Sequence, residues 1–425
     1  MSILRIKKRT LRNIVMYSLM LLVVYLFVFN PPFQMLPVSP SKILYVFLLP
    51  VFLLKYMGRF FYRFSTEVKI FFGIIMYSFI VMLISSSDAD YAQTNVFLLF
   101  ESLFNAFTLA YLLVHYFDTK AESVFLWCSI IGALVSVFLI VSPGINDYVR
   151  NSLLVPERDL EASFFSFRSF GISESLLFTY PVSLGIASCI CLEYAKEKML
   201  YYFLLPILLV AILFNARTGL VPLLVYMGYR IVISHDFSFI FRIIGLLIVG
   251  ILILYYSGIL EEYEATILWI VDGFTEILNM LSGKEGDKVG NVDVLGTMVI
   301  FPKTIFGFIF GTGKDVYMAS SVGHSDIGYI LQIYYGGLIN LLLLFSFIFS
   351  IYRKLKRRNT QHRWFNYVFL GTVLLCNVKG YFITTNSGMR TLMLLAFIYL
   401  LYGERQPTYL EQVSDEEDIN SDSSL

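Results

Sequence analysis

Apolar runs broken by short polar stretches dominate this chain, and their spacing predicts helices that cross a membrane. Twelve runs stand out, near residues 13–30, 42–58, 68–86, 93–115, 123–142, 171–192, 199–214, 218–233, 238–257, 326–351, 364–381 and 386–402. A spanning helix needs about 20 mostly apolar residues, and most of these runs approach or reach that length. The expected fold class is therefore an all-α polytopic integral membrane protein of about 12 transmembrane helices. The first run has a basic start but no small-residue cleavage site after it, and Pro31-Pro32 ends it, so it reads as a retained helix.

Two polar intervals exceed a connecting turn, near 142–170 and 257–325, the second between spans nine and ten. Within the second, Ile267, Ile270, Val271, Phe274, Ile277, Leu278 and Leu281 recur at helical spacing among Glu264, Asp272 and Glu276. That pattern predicts an amphipathic helix over about 264–281, lying at a membrane surface. The apolar stretch Phe301–Gly311 is too short to cross and reads as interfacial or re-entrant. Residues 1–402 form one transmembrane domain in this reading. The tail 403–425, acidic and Ser-rich from Val413 to Leu425, is expected to be cytoplasmic and disordered.

Composition agrees with the pattern: 57% of residues are hydrophobic and 15% charged, against roughly 25% charged in a soluble domain. The net charge of +1 gives no reason to expect nucleic acid as a partner. The placement of the charge is more informative. With the N-terminus inside, 21 of the 32 lysines and arginines fall on inner segments, as the positive-inside rule requires. Arg353, Lys354, Lys356, Arg357, Arg358 and Arg363 make the strongest anchor. Twelve spans then return the C-terminus to the cytoplasm. The four cysteines, Cys128, Cys189, Cys191 and Cys376, all lie in apolar runs with neither metal-ligand nor disulfide spacing. No metal and no cofactor is expected.

This topology sorts the chemistry by side. His115, His235 and His362 fall inside, whereas His324, Arg168, Arg217, Lys379 and Arg390 fall at the outer ends of spans. Cations are generally sparse on that side. Guanidinium groups bind phosphate through two-pronged, charge-assisted contacts, so an outer arginine cluster suits an anion such as the diphosphate of a lipid carrier. Each cation alone is also consistent with a side chain reaching for headgroups. Glu101 lies deep in the fourth run, with Asn105 one turn on as a candidate partner; an ionisable group at that depth is costly. Glu174 lies nearer the outer face. Gly311-Thr312-Gly313-Lys314 lacks the earlier glycine and the Ser/Thr of a phosphate loop, having Phe308 and Asp315 there, and reads as a turn.

Five motifs in order resemble the O-antigen polymerase (Wzy-type) and O-antigen ligase superfamily of membrane glycosyltransferases. They are Phe167-Arg168-Ser169-Phe170-Gly171, Asn215-Ala216-Arg217-Thr218-Gly219, Phe306–Gly313, His324–Tyr329 with Tyr335–Ile339, and Asn377-Val378-Lys379-Gly380. The ligase branch has Asn after its histidine, where this chain has Ser325. The resemblance therefore leans to the polymerase, with the ligase and a flippase for the same lipid-linked sugar as alternatives. It implies transfer of a glycan from undecaprenyl diphosphate to a fresh carrier-linked repeat unit, with inversion, at the periplasmic face of a bacterial inner membrane. Arg168, Arg217 and His324 are the implied catalytic set, with Glu174, Asp326, Lys379 and Arg390 binding substrate. His324, Asp326 and Glu174 are rival proton acceptors. A chain-length regulator protein and membrane lipids are the other implied partners.

Overall fold

The computed structural model describes residues 2–85, 100–153, 171–174, 178–236, 295–317 and 323–403, together with isolated positions elsewhere. Every regular element among them is helical; the one β contact is an isolated bridge between Phe33 and Leu153. In chain order the helices are α1 (Ser2–Phe29), α2 (Pro40–Arg63), α3 (Ser65–Ser85), α4 (Ala106–Phe117), α5 (Ala121–Ile140), α6 (Pro143–Ser152), α7 (Thr179–Ala195), α8 (Leu200–Leu213), α9 (Val221–Gly228), α10 (Ile305–Phe310), α11 (Gly328–Arg358), α12 (Arg363–Lys379) and α13 (Ser387–Gly403). A π-helical turn, Phe100–Asn105, leads into α4.

Four helices, α2, α3, α5 and α11, are long and apolar enough to cross a membrane. Shorter apolar helices cover Asn13–Phe29, Leu103–Phe117, Leu200–Leu213 and Ser387–Gly403. This is an all-α, membrane-embedded architecture. The run at 238–257, most of the expected amphipathic helix at 264–281 and the tail 404–425 lie outside the described residues.

Burial separates the helices into centre and rim. Thr179–Leu192 of α7 and Ser387–Tyr402 of α13 are buried throughout. A helix apolar on every face belongs in the middle of a bundle. On α2 and α3 only 22% of the apolar window is buried, and Leu54, Tyr62, Phe72, Leu83 and Ile84 face outward. Such exposure is tolerable against lipid and unfavourable in water. Close approach at the centre depends on small residues. A Cβ on Gly185 of α7 would lie 2.0 Å from the carbonyl oxygen of Gly219, which brings the Asn215–Gly219 hairpin against α7.

Local chemistry shapes the helix ends. Pro40 opens α2 from an extended Ser39, where its missing N–H costs nothing. Pro50 lies inside α2, and just beyond it the backbone widens into a π turn, Phe52–Tyr56. The apolar pattern predicts a span from residue 171, but helix begins at Thr179. The reason is the segment 171–174. Gly171 takes a positive φ of 58° against Ser136 and Tyr180, Tyr25 donates to the carbonyl of Ile172 (2.9 Å), and the Glu174 amide donates to Phe29 (2.8 Å). These bonds hold the chain out of helix where it crosses the end of α1.

The bundle thus has two distinguishable ends. Near one lie Glu174, the Arg217 turn, His324, the last turn of α12 and the first turn of α13. Near the other lie Glu122, Glu193, Arg230, His362 and the basic stretch closing α11.

Candidate functional site

Arg390 sits in the first turns of α13, whose start is fixed by Asn386: its Oδ1 accepts from the Met389 amide (2.9 Å) and its Nδ2 donates to Phe382 (2.7 Å). The guanidinium is 2% exposed, so it must find its partners inside the protein. Nε and Nη2 donate to Oε2 of Glu101 at 3.2 and 2.8 Å, and Nη1 donates to Oε2 of Glu174 at 2.5 Å. Glu174 is further held by Asn30 Nδ2 (3.1 Å), the Ser387 amide (2.6 Å) and Ser387 Oγ (3.0 Å). Asn30 Oδ1 in turn accepts from the Ser41 amide (2.9 Å), and Asn105 Nδ2 donates to the Ser41 carbonyl (3.2 Å). One buried network therefore joins the end of α1, the start of α2, the π turn, the segment 171–174 and the start of α13.

His324 and Asp326 are arranged differently. Ser325 between them is fully buried, its amide donating to Val316 (2.9 Å) and its Oγ accepting from Ile327 (3.2 Å). With that residue pinned, its neighbours both reach solvent, their side chains 42% and 39% exposed, and Nε2 of His324 lies 3.1 Å from Asp326 Oδ1. A histidine hydrogen-bonded through one nitrogen presents the other outward in a fixed tautomer.

Two further cations occupy the same end of the bundle. Lys379 is the exposed last residue of α12, followed by Gly380, which packs against Phe178 and Gly328. Half-buried Arg217 opens the 3-10 turn Arg217–Leu220. Arg168 lies outside the described residues. The structure thus brings Glu174 and Arg390 into direct contact, pairs His324 with Asp326, and sets Arg217 and Lys379 at the same end.

The glycine stretch 311–313 has a structural use. Helix α11 breaks at Gly337 (φ 68°, ψ −171°). The carbonyls of Tyr334 and Tyr335 accept instead from the amides of Thr312 (2.8 Å) and Gly313 (2.9 Å). These amide donors are committed to the helix break, consistent with a turn and not with a phosphate cradle. Tyr77 of α3 closes the arrangement by donating to the carbonyl of Phe310 (3.0 Å). Ile305, Phe306 and Phe310 of α10 remain exposed.

Sequence reasoning assigns Asn105 to Glu101, whereas Glu101 pairs with Arg390. An ionisable acid and base buried in separate apolar runs are each costly alone, which signals that each needs a partner without naming it. Asn30 and Ser387 carry no such signal, because small polar residues at helix ends are common. No protein-family model matches the chain, and no curated protein sequence is similar to it.

Proposed function

We propose that this membrane protein polymerises lipid-linked oligosaccharide repeat units, using the bundle end that carries Arg217, Lys379 and the His324–Asp326 pair. The observation supporting this is the gathering of those groups at one end, opposite the basic stretch Arg353–Arg358. In this reading the working end faces the periplasm of a bacterial inner membrane, both termini are cytoplasmic, and the chain crosses about 12 times. The donor is a glycan on undecaprenyl diphosphate and the acceptor a single carrier-linked repeat unit.

The chemistry follows from the groups present. An acceptor hydroxyl oxygen bonds to the donor's anomeric carbon while the bond from that carbon to the diphosphate oxygen breaks. His324, oriented by Asp326, takes the hydroxyl proton, and the diphosphate departs with its electron pair. Arg217, with Arg168 from the preceding motif and Lys379 in support, neutralises charge growing on the leaving oxygens. A single displacement inverts the anomeric centre. Arg390 and Glu174, bound to each other, fix the floor beneath this end.

A second reading has its own observation. The break of α11 at Gly337 and the buried Glu101–Arg390–Glu174 cluster are features of transporters, which favours a flippase for the same lipid-linked sugar. Gel analysis of surface polysaccharide from a deletion strain separates the two. Polymerisation requires that the ladder collapse to one capped repeat unit; carrier-linked units trapped on the inner side would mark a flippase. Long carrier-linked glycan with no capped unit would instead mark a ligase.

A further inference from the structure

Three arginines are buried among the described residues: Arg390 at 2% exposure, and Arg150 and Arg230 at 8% each. Two of them touch carboxylates. Arg390 holds Glu101 at 2.8 Å and Glu174 at 2.5 Å, and Arg230 holds Glu193 at 3.2 Å together with Asp236. Arg150 differs. The one acid that approaches it among the described residues is Asp147, with Nη1 to Oδ1 at 3.8 Å, too long for a hydrogen bond. The Asp147 side chain is 69% exposed, so water competes for it. Nε of Arg150 is sealed from solvent and has no acceptor. A guanidinium offers five donors, and a buried cation with so little to donate to is costly.

Backbone bonds, not ion pairs, hold Arg150 where it is. Pro143 opens α6 directly after α5. At the other end of α6 the Leu153 amide donates to the Arg150 carbonyl (3.2 Å), and Leu153 bridges to Phe33. Gln34 donates from its amide to the Ser152 carbonyl (3.1 Å) and from Nε2 to the Leu153 carbonyl (3.3 Å). These contacts fix α6 to the segment between α1 and α2, at the bundle end that carries Glu174. None of them needs a cation at position 150.

The outward side of the same unit is apolar. Val141 at the end of α5, Ile145 and Tyr148 of α6, and Met35 and Val38 before α2 are all exposed, Met35 at 95%. Ile145 and Tyr148 lie three residues apart on one helix face. Such a surface is unfavourable in water and suits the level where lipid chains meet headgroups, a level at which tyrosine is favoured. A cation that merely snorkels keeps its head in water. Arg150 is enclosed instead, so its acceptor must come to it.

We propose that Arg150 and the apolar flank of α6 form a binding site for a lipid-borne phosphate. The guanidinium fork matches two phosphate oxygens through charge-assisted bonds, while the lipid chain lies along Ile145, Tyr148 and Met35. Two kinds of lipid carry this chemistry, an anionic phospholipid and a polyprenyl phosphate. The site stands whichever reaction the molecule performs.

The test follows the unfolding temperature of the full-length protein, delipidated in neutral detergent, as lipid is added. The probes are phosphatidylglycerol, undecaprenyl phosphate and dioleoylglycerol, which has chains but no phosphate. Without lipid, Arg150→Met should unfold at the wild-type temperature or above it, because it removes an unmatched buried charge. At least one phosphate lipid should stabilise the wild type, as a ligand of the folded state does, and dioleoylglycerol should not. Affinity for that lipid should fall about ten- to a hundredfold in Arg150→Met and by less in Tyr148→Ser. Tighter binding of undecaprenyl phosphate assigns the site to a carrier lipid; tighter binding of phosphatidylglycerol assigns it to the bilayer. A lipid-free Arg150→Met that is less stable than the wild type, or that does not fold, shows that the guanidinium already has its partner within the protein and overturns the proposal. Equal stabilisation by dioleoylglycerol, or an equal response of Arg150→Met and the wild type to both phosphate lipids, overturns it as well.

Discussion

Arg390 and Glu174 are 216 residues apart in sequence, and Nη1 of the first lies 2.5 Å from Oε2 of the second. The contact closes the bundle by tying the start of α13 to the segment 171–174, which crosses the end of α1. Removing the guanidinium would strand a carboxylate held by only neutral donors. Breaking a buried pair from one side typically costs about 3–5 kcal/mol. Arg390→Met and Glu174→Gln are each expected to lower the unfolding temperature sharply in detergent or nanodiscs. The double substitution should cost less than the sum of the two, because each single variant leaves a charge unmatched. Additive losses would show that the two side chains stabilise the fold independently.

This junction also marks where sequence reading ends. The apolar runs reveal α3, α5 and α11 directly, because hydropathy over about 20 residues is a local property. The unusual depth of Glu101 and the end placement of Arg217, His324 and Lys379 are legible for the same reason. The pairing of Glu101 with Arg390 is not, since nothing local to either residue names a partner 289 positions away. The start of α7 is misplaced by hydropathy because Leu176, Leu177 and Phe178 carry the apolar run back toward Ile172. Tertiary bonds to Tyr25, Phe29 and Asn30 hold 171–174 out of helix instead. A reading by hydropathy also sees one span across Gly337, where backbone contact with α10 breaks the helix in two.

That break predicts a sharp contrast between glycines. Gly337 and Gly311 adopt φ of 68° and 86° with near-extended ψ, a region open almost solely to glycine at a cost of about 1–3 kcal/mol for other residues. A Cβ on Gly337 would lie 2.3 Å from the carbonyl oxygen of Ile309, and one on Gly311 2.2 Å from that of Tyr335. A Cβ on Gly58 of α2 or Gly73 of α3 would meet nothing within 4 Å. Gly337→Ala and Gly311→Ala should reduce both yield and unfolding temperature. Gly73→Ala should raise stability by about 0.5–1 kcal/mol, through the helix preference of alanine. Equal effects at Gly337 and Gly73 would refute the break as a packing requirement.

At the opposite end, His362 in the turn between α11 and α12 stacks on Tyr399, with ring centroids 4.6 Å apart. Burial lowers its pKa below the ordinary 6.5, outweighing the raising influence of Glu122 and Glu193. The unfolded chain then binds a proton that the folded chain resists. Stability should fall as pH drops below about 6.5 and level off once the folded site is also protonated. His362→Phe keeps a stacking ring and removes the titration. Its unfolding temperature should be flatter than that of the wild type between about pH 7.5 and pH 5. Parallel curves would mean that His362 does not govern acid sensitivity.

The last prediction concerns the proposed reaction and separates charge from geometry. A positioned base contributes about 10²–10⁴ in rate, so His324→Gln should nearly abolish elongation of purified lipid-linked repeat units while membrane expression persists. Asp326→Asn keeps the shape of the pair but not its charge, and should lie between His324→Gln and the wild type. Arg217→Lys retains a cation yet loses the planar fork that grips two phosphate oxygens. If the guanidinium meets the leaving diphosphate, Arg217→Lys should recover only a small part of what Arg217→Ala loses, with kcat falling more than KM rises, because the contact strengthens as the leaving charge develops. If Arg217 serves only to anchor its turn near the membrane surface, lysine should restore activity almost fully, since a snorkelling ammonium does that work equally well. The assay therefore distinguishes a residue that handles diphosphate from one that merely faces it.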